Sequence, residues 1–86
     1  MTRKPSIIHG VVRDAKGKPV SGARVYFIAA PVTLPDIAAL TDAEGKFALS
    51  VPVNGKYEVG CATDQASASR SADVKGQDVT IELRLP

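Results

Sequence analysis

Tryptophan is absent from this chain, and its 86 residues hold only two tyrosines, two phenylalanines, one cysteine and one histidine. Each shortage excludes something. A lone cysteine, Cys61, has no partner for an internal disulfide, so the fold must stand on packing. It sits in an alternating run with Tyr57 and Val59, which predicts a buried, inert thiol and not a nucleophile. His9 has no second His or Cys placed as a metal partner, so no zinc site is expected. With four aromatic side chains, Tyr26, Phe27, Phe47 and Tyr57, core anchors are few and each should carry a large share of the packing. No run of about 20 apolar residues exists, so no membrane insertion is expected.

A dominant charge is also missing. Eleven Lys and Arg against nine Asp and Glu give a net charge of +2, with both signs interleaved and no basic run beyond Arg3-Lys4. Nucleic-acid binding, which rests on a concentrated basic footprint, is not expected. The first residues, Met1-Thr2-Arg3-Lys4-Pro5-Ser6, carry charge but no apolar core of a leader peptide. The expectation is a cytoplasmic protein, one exported without a Sec signal, or a module cut from a longer secreted chain.

What the chain does have is a phrase said twice: Arg13-Asp14-Ala15-Lys16-Gly17-Lys18 and Thr41-Asp42-Ala43-Glu44-Gly45-Lys46. Each reads as a tight turn. The short Asp carboxylate accepts backbone N–H bonds two residues ahead, and the glycine takes the closing position where φ turns positive. Strands of alternating apolar and polar residues flank both turns, over about residues 6–13, 23–30, 37–41, 46–51, 56–62 and 79–85. Ile8, Gly10 and Val12 share one face of the first strand, and Gly10 inside it predicts a close backbone approach or a bulge. Gly22 closes an irregular bridge before the second strand, whose inward set is Ala23, Val25 and Phe27. Pro31 and Pro35 make residues 31–36 a long connection. Asn54-Gly55 signals another turn. Residues 66–74, small and polar with one Arg, read as either a guarded edge strand or a loop. The expected architecture is all-β over residues 1–86 as one domain: a seven-stranded antiparallel β-sandwich of Greek-key type.

Candidate chemistry is sparse. Asp14, Asp42 and Glu44 fall short of a calcium site, since each turn offers one or two acids and no bidentate Glu follows at loop spacing. Gly17 to Gly22 has the spacing of a phosphate loop, but Ala23-Arg24 stands where Lys-Ser or Lys-Thr would be needed. No cofactor is expected. What remains is surface: Ile7, Val11, Tyr26 and Ile28 face away from the inward set, and Val32, Leu34 and Ile37 decorate the proline-bearing connection. These seven are the candidate interaction residues.

The run Ile8-x-Gly10-x-Val12-x-Asp14-x-x-Gly17-Lys18-Pro19-Val20-x-Gly22-Ala23-x-Val25, then Thr41-Asp42-x-x-Gly45-x-Phe47-x-Leu49 and Gly55-x-Tyr57-x-Val59, resembles the carboxypeptidase regulatory-like domains. These belong to a wider transthyretin-like or prealbumin-like group of sandwiches. The resemblance implies a module without catalytic residues, appended to enzymes, receptors, adhesins or secretion machinery. Members often carry Gly-Tyr after the fifth strand, where this chain has Cys61-Ala62-Thr63-Asp64. Related enzymes that hydrolyse 5-hydroxyisourate also bear a His on the first strand, but they need further His and Arg side chains and a closing Tyr-Arg-Gly-Ser; this chain closes on Arg84-Leu85-Pro86. The expected function is therefore a non-catalytic structural or protein-interaction module that docks on a host protein, an assembly such as bacterial surface or secretion machinery, or copies of itself. The alternative is a carbohydrate- or peptide-binding module. Surface sandwiches of the collagen-adhesin B type lock themselves with a Lys–Asn or Lys–Asp isopeptide bond, but the first strand here lacks Lys and the one Asn, Asn54, lies in a turn. The intact mass should therefore equal the sequence mass; a loss of ammonia or water on mass spectrometry would reveal such a bond.

Overall fold

The computed structural model describes residues 6–34 and 38–86. Seven strands follow one another: β1 (Ser6–Arg13), β2 (Arg24–Ala29), β3 (Ala39–Leu40), β4 (Lys46–Val51), β5 (Gly55–Ala62), β6 (Ser67–Val74) and β7 (Val79–Arg84). They make two sheets, in the orders β4-β1-β7 and β3-β2-β5-β6. The alternation in the sequence explains the layering, because successive side chains of a strand point to opposite faces. Ile8, Val12, Phe47, Leu49, Val51, Ile81 and Leu83 line the inner face of the first sheet, and Val25, Tyr57, Val59, Cys61, Ala72 and Val74 that of the second; together they form one buried cluster.

The expectation of an antiparallel sandwich needs correction, because β1 and β7 run parallel, in register from Ile8 opposite Val79 to Arg13 opposite Arg84. Only strands joined by a tight turn must run antiparallel, and these two come from opposite ends of the chain. Alternation dictates which face is buried but says nothing of direction. Gly10 lies in this ladder beside Ile81, and a Cβ there would collide with the Ile81 carbonyl. The close approach expected of this glycine is thus made by the neighbouring strand's backbone.

Two further boundaries differ from expectation. The third strand shrinks to Ala39–Leu40, paired with Val25 and Arg24, and Ile37 lies outside the described residues. Residues 67–74, ambiguous in sequence, form a full edge strand paired with β5 from Ala62 opposite Ser67 to Gly55 opposite Val74. Ala68, Ala72 and Val74 supply its apolar inner side. Arg70 falls at an inward position between them, and its Nη1 donates to the Glu82 carbonyl at 3.3 Å, spanning from one sheet to the other.

The twin turns are alike bond for bond. Asp14 Oδ1 accepts from the N–H groups of Lys16 and Lys18, and Asp42 Oδ1 from those of Glu44 and Lys46, all at 2.9 Å. Gly17 and Gly45 donate to the carbonyls of Asp14 and Asp42 from φ of 83° and 75°. The second turn is also packed against the first. Val12 donates to the Gly45 carbonyl at 2.8 Å, and a Cβ on Gly45 would lie 2.7 Å from the Val12 oxygen. Beside this contact Thr41 is buried: its hydroxyl accepts from the Ala23 N–H at 2.9 Å and donates to the Val20 carbonyl at 2.6 Å.

Tyr57 is the largest fully buried side chain among the described residues. Its ring meets Phe27 at 5.5 Å and 49°, and its hydroxyl donates to the Val53 carbonyl at 2.7 Å, four residues upstream. That bond holds the short link between β4 and β5, where the chain passes from one sheet to the other. Tyr57→Phe should cost about 1 kcal/mol in urea unfolding, since it leaves one carbonyl unpaired. Tyr57→Ala should cost about 3–5 kcal/mol by adding a cavity.

Hydrogen bonds from Lys18 and Lys46 backbone groups hold the Asp14 and Asp42 carboxyls below their ordinary value of 3.8. Between the folded and unfolded values the unfolded chain binds more protons, so stability rises with pH there. The contribution is complete above the ordinary carboxylate range and is lost as pH falls through the folded values. Urea midpoints measured across the acid range should fall on this limb, and Asp14→Ala with Asp42→Ala should flatten it.

Candidate functional site

The outward sides of β4, β1 and β7 form one candidate surface. Along it Ala48, His9 and Thr80 lie abreast, then Lys46, Val11 and Glu82, as the two ladders require. A depression of about 760 Å³ opens here, bordered by His9, Val11, Arg13, Lys46 and Thr80 and walled by Pro19, Ala43 and Glu44 from the turns. The docking of the second turn on the first brings those walls beside the sheet. Its charges are matched in pairs: Lys46 Nζ lies 3.2 Å from Glu44, and Arg13 Nε lies 3.6 Å from Glu82, whose other oxygen is 3.7 Å from Arg84. Arg13 also donates to the Gly17 carbonyl at 3.0 Å. His9 Nε2 lies 3.3 Å from Thr80 Oγ1. A hydroxyl beside an imidazole is two-thirds of a nucleophilic triad, but both groups are exposed and no hydrogen bond among the described residues orients the ring from its other side.

The opposite surface is the outward side of β3, β2, β5 and β6. Tyr26 pairs with Gly60, and Gly60 with Ser69. The glycine lets the Tyr26 ring and Ile28 lie down over β5, since a Cβ there would sit 2.9 Å from Tyr26 Cε2 and 2.8 Å from Ile28 Cδ1. Ile28 is the extra residue where the β2–β5 register shifts, and it is 51% exposed. Leu40, opposite Arg24 on the short edge strand, is 68% exposed. Ala62, Ser67, Ser69 and Ser71 share this face with the charged side chains of Arg24, Lys56, Glu58 and Asp73.

The candidate interaction residues are thus divided. Ile7 and Val11 lie on the first surface, Tyr26 and Ile28 on the second, while Val32 is exposed in the connection and Leu34 is half-buried against the core. Ile37 lies outside the described residues. The turn residues hold the chain's corners: Gly22 and Gly55 have positive φ, of 75° and 143°, and Gly55 leaves no room for a Cβ beside Pro31. Asn54 accepts from the Gly76 N–H at 2.8 Å, tying that corner to the β6–β7 turn. Cys61 is fully buried, and burial pushes its thiol above the ordinary range. No group of three metal-ligating side chains exists among the described residues. None of them forms a helix, and so none is long and apolar enough to cross a membrane.

Sequence reasoning did not single out Leu40, Gly60 or Thr80 as surface residues. Thr80 becomes relevant only through the parallel pairing with β1, which no local pattern encodes. Gly60 carried a signal, a glycine inside an otherwise apolar strand, of the kind that drew attention to Gly10.

Comparison with solved structures places the fold among diverse proteins. A DUF3823 family protein from Parabacteroides merdae matches with a TM-score of 0.71 and 12% identity over 96% of this chain and 46% of its own. A 3-chlorocatechol 1,2-dioxygenase from Rhodococcus opacus matches with a TM-score of 0.68 and 15% identity, over 98% of this chain and 60% of its own. A candidate carbohydrate-binding protein from Pseudomonas aeruginosa matches with a TM-score of 0.61 and 15% identity, over 98% of this chain and 90% of its own. The chain therefore spans 46% and 60% of the first two, and at these identities the likeness is one of fold alone. No curated protein matches in sequence. The family model for the carboxypeptidase regulatory-like domain matches residues 7–86, and the chain belongs to that family.

Proposed function

We propose that the chain is a non-catalytic β-sandwich module that docks on a larger protein or assembly through the outward face of the β3-β2-β5-β6 sheet. The observation that carries this reading is the Tyr26 and Ile28 ridge lying over Gly60, with Leu40 beyond it. Large apolar side chains exposed together on one sheet face, with polar and charged residues around them, are what a protein interface uses as anchors. The regulatory-like family supports a role as an accessory part. The transthyretin-like group is the finer class we assign, and bacterial surface or secretion machinery is the setting we favour.

A second reading is a carbohydrate- or peptide-binding module. It is favoured by the likeness to the Pseudomonas aeruginosa protein, most of whose length the chain matches, and by the depression over Val11. The scarcity of exposed aromatic rings tells against strong sugar stacking.

Docking through the second surface is tested with a photo-reactive residue placed at position 28 in the native cell, and at position 7 as a control on the opposite face. A discrete cross-linked product from position 28 alone is expected, whether with a host or with a second copy. Equal capture from both positions, or none from position 28, would overturn this reading. If the product is a second copy, light scattering should show the mass rising with concentration and Ile28→Asp restoring the monomer.

A further inference from the structure

We infer that the depression on the outward face of the β4-β1-β7 sheet is a binding site for a neutral, polyhydroxylated ligand, a sugar residue or short oligosaccharide. The inference rests on the second reading above. It stands apart from protein docking, because the two surfaces lie on opposite sides of the sandwich.

Size is the first consideration. The depression's volume of about 760 Å³ falls in the range of about 300–1,000 Å³ typical of small-molecule sites. Its lining is the second. Val11 is half-buried in the middle of the sheet, with Lys46 abreast on one side and Glu82 on the other. This gives an apolar floor onto which the C–H face of a pyranose can settle, bordered by groups that both donate and accept hydrogen bonds. His9 and Thr80 supply an imidazole and a hydroxyl at one end. Lys46, Glu44 and Arg13 supply ammonium, carboxylate and guanidinium groups at the other, with Arg13 steadied by Glu82.

Charge decides the ligand class. The cations bordering the floor each lie within ion-pair distance of a carboxylate, Lys46 of Glu44 and Arg13 of Glu82, so the border presents no excess positive charge to draw an anion. A neutral polyol needs no such excess: each hydroxyl donates to a carboxylate oxygen and accepts from a cationic N–H without breaking the pair. No Trp or Tyr borders the floor to stack on the ring, so the dissociation constant should be on the order of millimolar.

The experiment is an amide NMR titration of the labelled chain with maltotriose, cellotriose and chitotriose. Inorganic phosphate and a neutral serine- and alanine-rich peptide serve as comparison probes. Saturable shifts from at least one of the sugars are expected, confined to His9, Val11, Arg13, Glu44, Lys46, Thr80 and their neighbours. They should vanish in Val11→Glu, which puts a charge in the floor, and weaken several-fold in Thr80→Ala, with retained spectral dispersion showing that each variant folds. Should Val11→Glu unfold, Thr80→Ala alone decides. Shifts from phosphate or the peptide at these residues, shifts centred on Tyr26 and Ile28, or no shift from any sugar would each overturn the inference. None of these outcomes bears on cross-linking at position 28, so the two readings stand or fall separately.

Discussion

The structure depends on one close contact, the seating of the second Asp turn on the end of the first strand. Gly45 rests against the Val12 carbonyl with no space for a Cβ, and Val12 returns a hydrogen bond to the Gly45 carbonyl. Thr41, just ahead of that turn, saturates its buried hydroxyl between Val20 and Ala23. A buried polar group left without partners costs more than a bond contributes, so the hydroxyl fixes where the entry to β2 must pass. The Val20 N–H also donates to the Val12 carbonyl at 2.9 Å, so the entry to β2, a strand of the second sheet, is tied to the end of β1 in the first. Both candidate surfaces inherit their geometry from this junction: it sets Pro19, Ala43 and Glu44 beside the first sheet and leads the chain into β2, which carries Tyr26 and Ile28.

Much of this was legible in the residues. The repeated Asp-x-x-Gly phrase named two turns whose bonds agree atom for atom, because a carboxylate accepting from its own following N–H groups is a local event. Alternation identified the inward residues of β1, β2 and β5 for the same reason. What was hidden is whatever depends on distant partners. The parallel pairing of β1 with β7 joins residues at opposite ends of the chain, and no local pattern carries its direction. The edge strand β6 has small side chains that suit a loop equally well, and only its full ladder with β5 settles the matter. Thr41 looked like the prefix of a turn, although its burial makes it a tie between segments.

The candidate surfaces were legible to a lesser degree. Listing outward apolar residues picked out Ile7, Val11, Tyr26 and Ile28 but could not assign them to sheets, and the pairing then separates them onto opposite sides. The division matters functionally. One face carries apolar anchors over a glycine, and the other an apolar floor among matched charges. A protein partner and a small polar ligand need such different surfaces, so one sandwich can serve both without competition.

Arg70 has a consequence for how copies of this module coexist. A new strand laid along the free side of β6 would strip water from the exposed Arg70 guanidinium, whose hydrogen bond among the described residues goes to a neutral group, the Glu82 carbonyl. Extension of that sheet is thus penalised at its longest open margin. Crowded copies, or several strung along one polypeptide, are steered away from fusing into a continuous ribbon and left to meet others through their broad sides.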